Sequence, residues 1–402
     1  MISLPKKVID NSRRLHSEGV VKIIDLKVKI LTLCLEYYQL QSKVAKDEFK
    51  DKLFALKCDD AIKRQSLNWF LKKSTSSKDD VDGEFNNVKS INNLTNYFDS
   101  KKRIVSRDFT TQNELRKRLE YFKRERIHKI INGGPSDLLE ENERYKKYFP
   151  ENRRKDVNNQ ILKLLTYLFD YVEFSKKESI FSPHWGAYQL TSSLNVNTCL
   201  YCNRNYVITV INSGKNFIRA EIDHFFAQSS YPILALSFYN LIPSCHICNS
   251  NLKKATNISL INNLHPYVHN YCDEKVKFTY KVNNPRAFFH DTRGLSIILD
   301  TSKTIRMKTQ IDNNIELFKL DYIYDHHKDI AEGLMDLQRK TVPTRLQDIY
   351  ANILINNSGK KIFDSEKDLY EFAIRNYFSP AEFYKRPLAK FEKDIAKEIG
   401  LI

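Results

Sequence analysis

Four of the seven cysteines fall into two C-x-x-C pairs, Cys199 with Cys202 and Cys245 with Cys248. Each such turn presents two sulfurs to one ion, so two turns supply the tetrahedral thiolate set of a structural Zn²⁺ site, with bonds of about 2.3 Å. A redox pair would instead need a C-x-x-C that opens a helix after a strand in a βαβ unit, and neither pair has that setting. Cys34, Cys58 and Cys272 are scattered singly, the usage of a reducing compartment, so a cytoplasmic location is expected. The 42 residues between Cys202 and Cys245 exceed the roughly 15–20 of a simple zinc ribbon, so something folded must fill the gap.

Inside that gap stands Glu221-Ile222-Asp223-His224-Phe225-Phe226, followed by Tyr239-Asn240-Leu241-Ile242-Pro243-Ser244 leading into the second cysteine pair. Asp223 offers a hard oxygen ligand for a divalent cation, and His224 an imidazole that exchanges a proton near neutral pH. Phosphodiester hydrolysis needs both: a cation to offset charge on the scissile phosphate and a base to deprotonate the attacking water.

The elements that must position these residues follow from periodicity. Apolar residues recur at helical spacing through Ile24, Val28, Leu31, Leu35 and Tyr38, and again through Ile161, Leu164, Leu165, Leu168 and Val172. Polar breaks occur at residues 74–82 and at Gly133-Gly134-Pro135, before a helix start. From about His184 the period changes. Residues 206–211 (YVITVI) and 216–222 (NFIRAEI) flank Asn212-Ser213-Gly214 and read as a β-hairpin ending in the Asp-His pair. Residues 276–282 and 295–299 read as two more strands extending that sheet, and beyond Asp312 the helical pattern returns. The expected architecture is mainly α with a central small α/β insert: a helical basic region over 1–185, the zinc-containing domain over 186–304, and a helical region over 305–402.

Composition narrows the partners. With 65 Lys and Arg against 49 Asp and Glu, the formal charge of +16 favours an anionic macromolecule, nucleic acid first. A hydrophobic share of 42% excludes disorder as the main state. The chain has no apolar stretch long enough to span a bilayer, so no membrane partner is expected. Ten glycines leave no Gly-rich phosphate loop, so any nucleotide dependence must come from a partner protein. The basic run Arg116, Lys117, Arg118, Lys123, Arg124 and Arg126 is read first as a solvated helix face.

The order C-x-x-C, hairpin ending in Asp-His, then Asn-Leu-Ile-Pro-x-C-x-x-C-Asn before a Lys-rich helix start resembles the HNH endonucleases, over about residues 195–270. The resemblance implies a ββα-metal finger pinned by the four-cysteine zinc site and flanked by helical N- and C-terminal regions. It implies that His224 is the general base, Asp223 a ligand of the catalytic Mg²⁺ or Mn²⁺, Asn240 the residue that braces the loop and orients the base, and Asn249 the second metal ligand. The family's final His is thus replaced by Asn, whose amide oxygen favours Mg²⁺ over transition metals. The substrate is expected to be DNA, with RNA open. One finger cuts one strand, so cutting two would need a homodimer or a second event. Large helical flanks are similar to those of prokaryotic antiviral defence and restriction nucleases, some of which act with an ATPase.

Lys253, Lys254, Arg204 and Arg219 are candidate phosphate contacts. His265 is a candidate to approach the phosphate, or else a packing residue. His246 reads as a surface side chain because four thiolates already fill a zinc site. The alternative from another class is a zinc-containing nucleic-acid-binding or adaptor protein without catalysis, with Asp223 and His224 as a structural brace.

Overall fold

The computed structural model describes residues 2, 4–37, 48, 51–53, 55–56, 60–71, 109–178, 180–181, 185–212, 215–254, 256, 258–285, 292–304, 306–340, 363 and 365–401. The polar break at 74–82 and the turn residues Ser213 and Gly214 lie outside them. Among the described residues the chain is mainly helical, with three two-stranded sheets, and no described helix is long and apolar enough to cross a membrane. It divides into two compact units.

One unit comprises Arg13–Leu190 and Gln228–Asn240. Its described helices are most of α1 (Lys6–Tyr37), then α2 (Asp60–Leu71), α3 (Phe109–Tyr121), α4 (Arg124–Asn132), α5 (Pro135–Tyr148), α6 (Lys155–Leu168) and the short α7 (Tyr171–Ser175). The expected stripe of α1 is buried at Ile24, Val28, Leu31 and Leu35; Tyr38 lies outside the described residues. In α6 the stripe is buried from Val157 through Leu168. Val172 does not continue it and is 64% exposed, because Asp170 accepts the Glu173 N–H and starts a new helix out of phase. Gly134 caps α5 and Pro135 opens it, where its missing N–H costs nothing.

His16 is fully buried here. Its Nε2 lies 2.8 Å from the Leu236 carbonyl, and Nδ1 accepts the Trp185 indole N–H at 3.0 Å. The neutral tautomer protonated at Nε2 satisfies both neighbours. Burial pushes its pKa down to about 4, against a smaller upward pull from the Leu236 carbonyl.

The other unit comprises Met1–Ser12, Thr191–Ala227 and Leu241–Ile402. After α8 (Ala187–Leu194) come β1 (Val210–Asn212) and β2 (Lys215–Ile218), an antiparallel hairpin. Then β3 (Glu221–His224) pairs antiparallel with β4 (Leu241–Ser244), and α9 (Ile247–Lys253) follows as a wide helical turn. β5 (Lys277–Val282) and β6 (Leu295–Asp300) precede α10 (Lys308–Leu317), α11 (Leu320–Asp325), α12 (Lys328–Lys340), α13 (Glu366–Ile374) and α14 (Ala389–Glu398).

Two strand expectations are corrected. The predicted hairpin breaks at Arg219 and Ala220, so Asp223 and His224 lie on a separate strand whose partner is β4. Burial explains the choice: Phe217 and Ile218 of β2 are 49% and 56% exposed, whereas every residue of β4 is buried. Among the described residues β5 and β6 pair only with each other. Their outer edges are already occupied: Phe278 N–H donates to Asp394, Ile297 N–H to Asp325 and Leu299 N–H to Asp321, which leaves those amides unable to recruit another strand. Phe278, Ile297, Tyr324, Leu334, Phe391 and Ile395 form the core under this sheet.

Candidate functional site

The first C-x-x-C forms a tight turn. Asn203 N–H donates to the Cys199 carbonyl at 2.8 Å, Cys199 N–H donates to Asn205 at 3.0 Å, and Thr198 bridges Tyr206. Asn203 takes a left-handed conformation, φ 51°, which asparagine tolerates better than most side chains. Its amide donates to the carbonyls of Phe383 and Arg386, and Leu388 N–H returns a bond to the Asn203 carbonyl. The second pair stands where β4 enters α9, with Asn249 N–H donating to the Cys245 carbonyl at 3.0 Å.

All four cysteines are buried, and their sulfurs lie within 4.8 Å of one another. Cys202 and Cys245 Sγ are 4.0 Å apart, twice a disulfide bond of about 2.0 Å and close to the roughly 3.8 Å edge of a zinc–sulfur tetrahedron. Arg204 N–H donates to Cys202 Sγ at 3.4 Å. Burial pushes the Cys199 thiol up, while hydrogen bonds from Cys199, Cys202 and Cys248 hold Cys245 far below an ordinary thiol. This donor set fits a structural metal such as zinc.

On β3 successive side chains alternate faces, and Glu221 and Asp223 both reach toward α9. Asp223 is 3% exposed. Its Oδ2 accepts the Tyr201 hydroxyl at 2.6 Å, and its Oδ1 accepts Lys253 Nζ at 2.9 Å. Lys253 is 1% exposed and also donates to the His224 carbonyl at 2.7 Å. The expectation of an exposed phosphate contact therefore does not hold for Lys253: its ammonium is held by the carboxylate and carbonyl of β3. Lys254 is exposed, and Arg204 and Arg219 are half-buried.

Glu221 and Tyr201 were not singled out in the sequence, yet both are central. Glu221 accepts Asn249 Nδ2 at 2.9 Å and the Ser250 hydroxyl at 3.2 Å on one oxygen, and pairs with His246 Nδ1 at 2.7 Å on the other. Burial raises the Glu221 carboxyl, but the bonds from Asn249, His246 and Ser250 outweigh it and hold it below the usual range. With its NH₂ committed to Glu221, the amide of Asn249 has only its oxygen left to offer a cation. The i, i+2 alternation from Glu221 to Asp223 was the available signal. Tyr201, between the two cysteines of its turn, gave none.

His224 is half-buried and pairs in register with Leu241. Asn240 is fully buried, and its amide donates to the Leu234 carbonyl at 2.9 Å, bracing the connection after β3. His265 is fully buried and packs 4.5 Å from the Phe225 ring, with Nδ1 accepting the Tyr267 N–H. It belongs to packing rather than to a surface that meets a phosphate.

Asp223 and Asn249, the expected ligands of a divalent cation, have separate partners: the Asp223 carboxylate holds Tyr201 and Lys253, and the Asn249 amide lies against Glu221. A carboxylate offers about four acceptor positions, and Tyr201 and Lys253 use two of them. Hard oxygen donors of this kind suit Mg²⁺, with Lys253 as the competing cation. No protein-family model, no curated protein and no solved structure matches the chain.

Proposed function

We propose that the chain is a metal-dependent endonuclease of the HNH kind, hydrolysing phosphodiester bonds in DNA, with RNA as the other candidate strand. One observation carries the reading: Asp223 and His224 end a strand whose antiparallel partner runs straight into a helix bearing Asn249, and four clustered thiols fasten that turn. Strand, strand and helix in this order are what a ββα-metal finger requires. The net charge of +16 supports a polyanionic substrate.

Asp223 and Asn249 would hold a magnesium or manganese ion, whose charge would offset the anion that develops on the scissile phosphate and the leaving 3′-oxygen. His224 accepts the proton of the attacking water at its ring. Glu221 keeps the Asn249 amide oriented, and Asn240 stiffens the connection after β3. Lys254, Arg204 and Arg219 meet backbone phosphates. The four cysteines would hold zinc through all four of its positions, so it would serve the fold alone. One such centre cuts one strand, so double-strand cleavage calls for a homodimer or a second event. The role we propose is that of a prokaryotic antiviral or restriction effector in the cytoplasm, with an ATPase partner providing any nucleotide dependence.

The Asp223–Lys253 ion pair favours a second reading, a zinc-containing nucleic-acid-binding or adaptor protein without catalysis. Its buried carboxylate already has a cation. Supercoiled plasmid with Mg²⁺ separates the two. Nicking by the wild type, with none by a His224→Ala variant that still binds DNA, supports the nuclease. Binding by both with cleavage by neither leaves the adaptor.

A further inference from the structure

The nuclease reading leaves the basic run of α3 and α4 unused. Three of its residues, Lys117, Lys123 and Arg126, line a cleft together with α5 and residues 149–154; the cleft measures about 1290 Å³, larger than the roughly 300–1,000 Å³ of a small-molecule site. Six cationic side chains, Lys117, Lys123, Arg126, Arg144, Arg153 and Arg154, face it against three carboxylates. Four of the six are ion-paired, Lys117 with Glu114, Arg126 and Arg144 with Glu141, and Arg154 with Asp156, so the positive charge offered to a ligand comes mainly from Lys123 and Arg153.

Aromatic rings form the other half of the lining. Tyr121, Tyr148 and Phe149 line the cleft, and Tyr148 is 72% exposed. Its ring is backed by Tyr121 at 5.7 Å and Phe149 at 5.5 Å between centroids. Arg126 stacks at 4.9 Å over Tyr121, and Arg118 at 4.5 Å over Phe149. A large aromatic face left in water yet supported from behind is what a stacking base needs, and cations spread around it are what a phosphate chain needs. A double helix hides its base faces. A purely electrostatic surface would have no use for the exposed ring.

We infer that this cleft binds single-stranded nucleic acid, with a base stacked on Tyr148 and the sugar-phosphate chain tracked by Lys123 and Arg153. The inference does not need the nuclease reading: it concerns binding by the helical unit, with no divalent cation.

Fluorescence anisotropy of labelled 20-nucleotide single-stranded DNA, single-stranded RNA and duplex DNA, titrated with the full-length protein without added divalent metal, tests it. The expected order is single strand above duplex, with the DNA and RNA arms identifying the preferred sugar. Tyr148→Ala, a surface change, should weaken single-strand binding about tenfold. Lys123→Ala with Arg153→Ala should lower the slope of log affinity against log salt by about 1.4, near 0.7 per lost charge. Unchanged affinity in both variants overturns the inference, as does a Tyr148→Ala loss equal for heparin and for the strand, which would mark a general polyanion surface. Plasmid nicking is scored separately. Nicking that survives while the variants bind like wild type sinks the cleft and spares the nuclease. Variant-sensitive binding without any nicking does the reverse.

Discussion

Lys253 Nζ lies 2.9 Å from Asp223 Oδ1, with both side chains withdrawn from solvent. A buried pair of this kind gives little net stability over an apolar pair, yet breaking it leaves a charge stranded. Lys253→Met should therefore lower unfolding free energy by about 3–5 kcal/mol, read by urea denaturation. If Asp223 can take a divalent cation, millimolar Mg²⁺ should raise the variant's Tm more than that of the wild type. An equal response in the two proteins would count against Asp223 as a ligand.

The thiol cluster predicts one zinc per chain by elemental analysis. Cys245→Ser should lose the metal and lower the Tm sharply, because a four-thiolate site contributes folding energy directly. Metal retained at full stoichiometry in that variant would contradict the assignment.

Glu221 acts on the proposed chemistry through Asn249. Glu221→Ala frees the amide to rotate, and loss of such an orienting partner typically costs about 10- to 100-fold in metal affinity or activity. Nicking measured across Mg²⁺ concentrations should show the loss as a higher metal requirement. A fall in rate with no change in that requirement would mean that Glu221 does not orient a ligand.

His16 makes stability depend on pH. Its folded pKa, near 4, lies below the unfolded value of 6.5, so the unfolded chain binds more protons between those values. Stability contributed by neutral His16 is full above about pH 6.5 and lost as pH falls toward 4, by about 3 kcal/mol in all. Glu392, raised by burial to about 7, pulls the other way over the same range, so the test is a difference. The gap in unfolding free energy between wild type and His16→Gln should shrink from pH 7 to pH 5. A pH-independent gap would show that His16 does not titrate on unfolding.

The cysteine pairs, the Asp-His pair and the helical stripes of α1 and α6 were legible in the sequence because spacing alone defines them. Strand partnership was not. Residues 216–222 alternate well enough to look like one strand, but alternation does not reveal that Phe217 and Ile218 face water while Ile222 is buried, and that difference separates β2 from β3. The direction of Lys253 was equally hidden. Two adjacent lysines look alike in a sequence, and only the carboxylate and carbonyl of β3 draw one of them inward.

Asn203 has a bearing on how the protein can be dissected. Its side chain and carbonyl lace the first cysteine turn to Phe383, Arg386 and Leu388, and Tyr384 accepts from Asn197 and Thr198 N–H, nearly 190 positions further along. Tyr324 adds a hydroxyl bond to the Cys202 carbonyl. A fragment trimmed to the motif alone would leave those backbone amides and the Asn203 carboxamide without their acceptors. The catalytic-looking stretch is thus not a portable module, and recombinant pieces of it should be insoluble unless the last twenty residues travel with them.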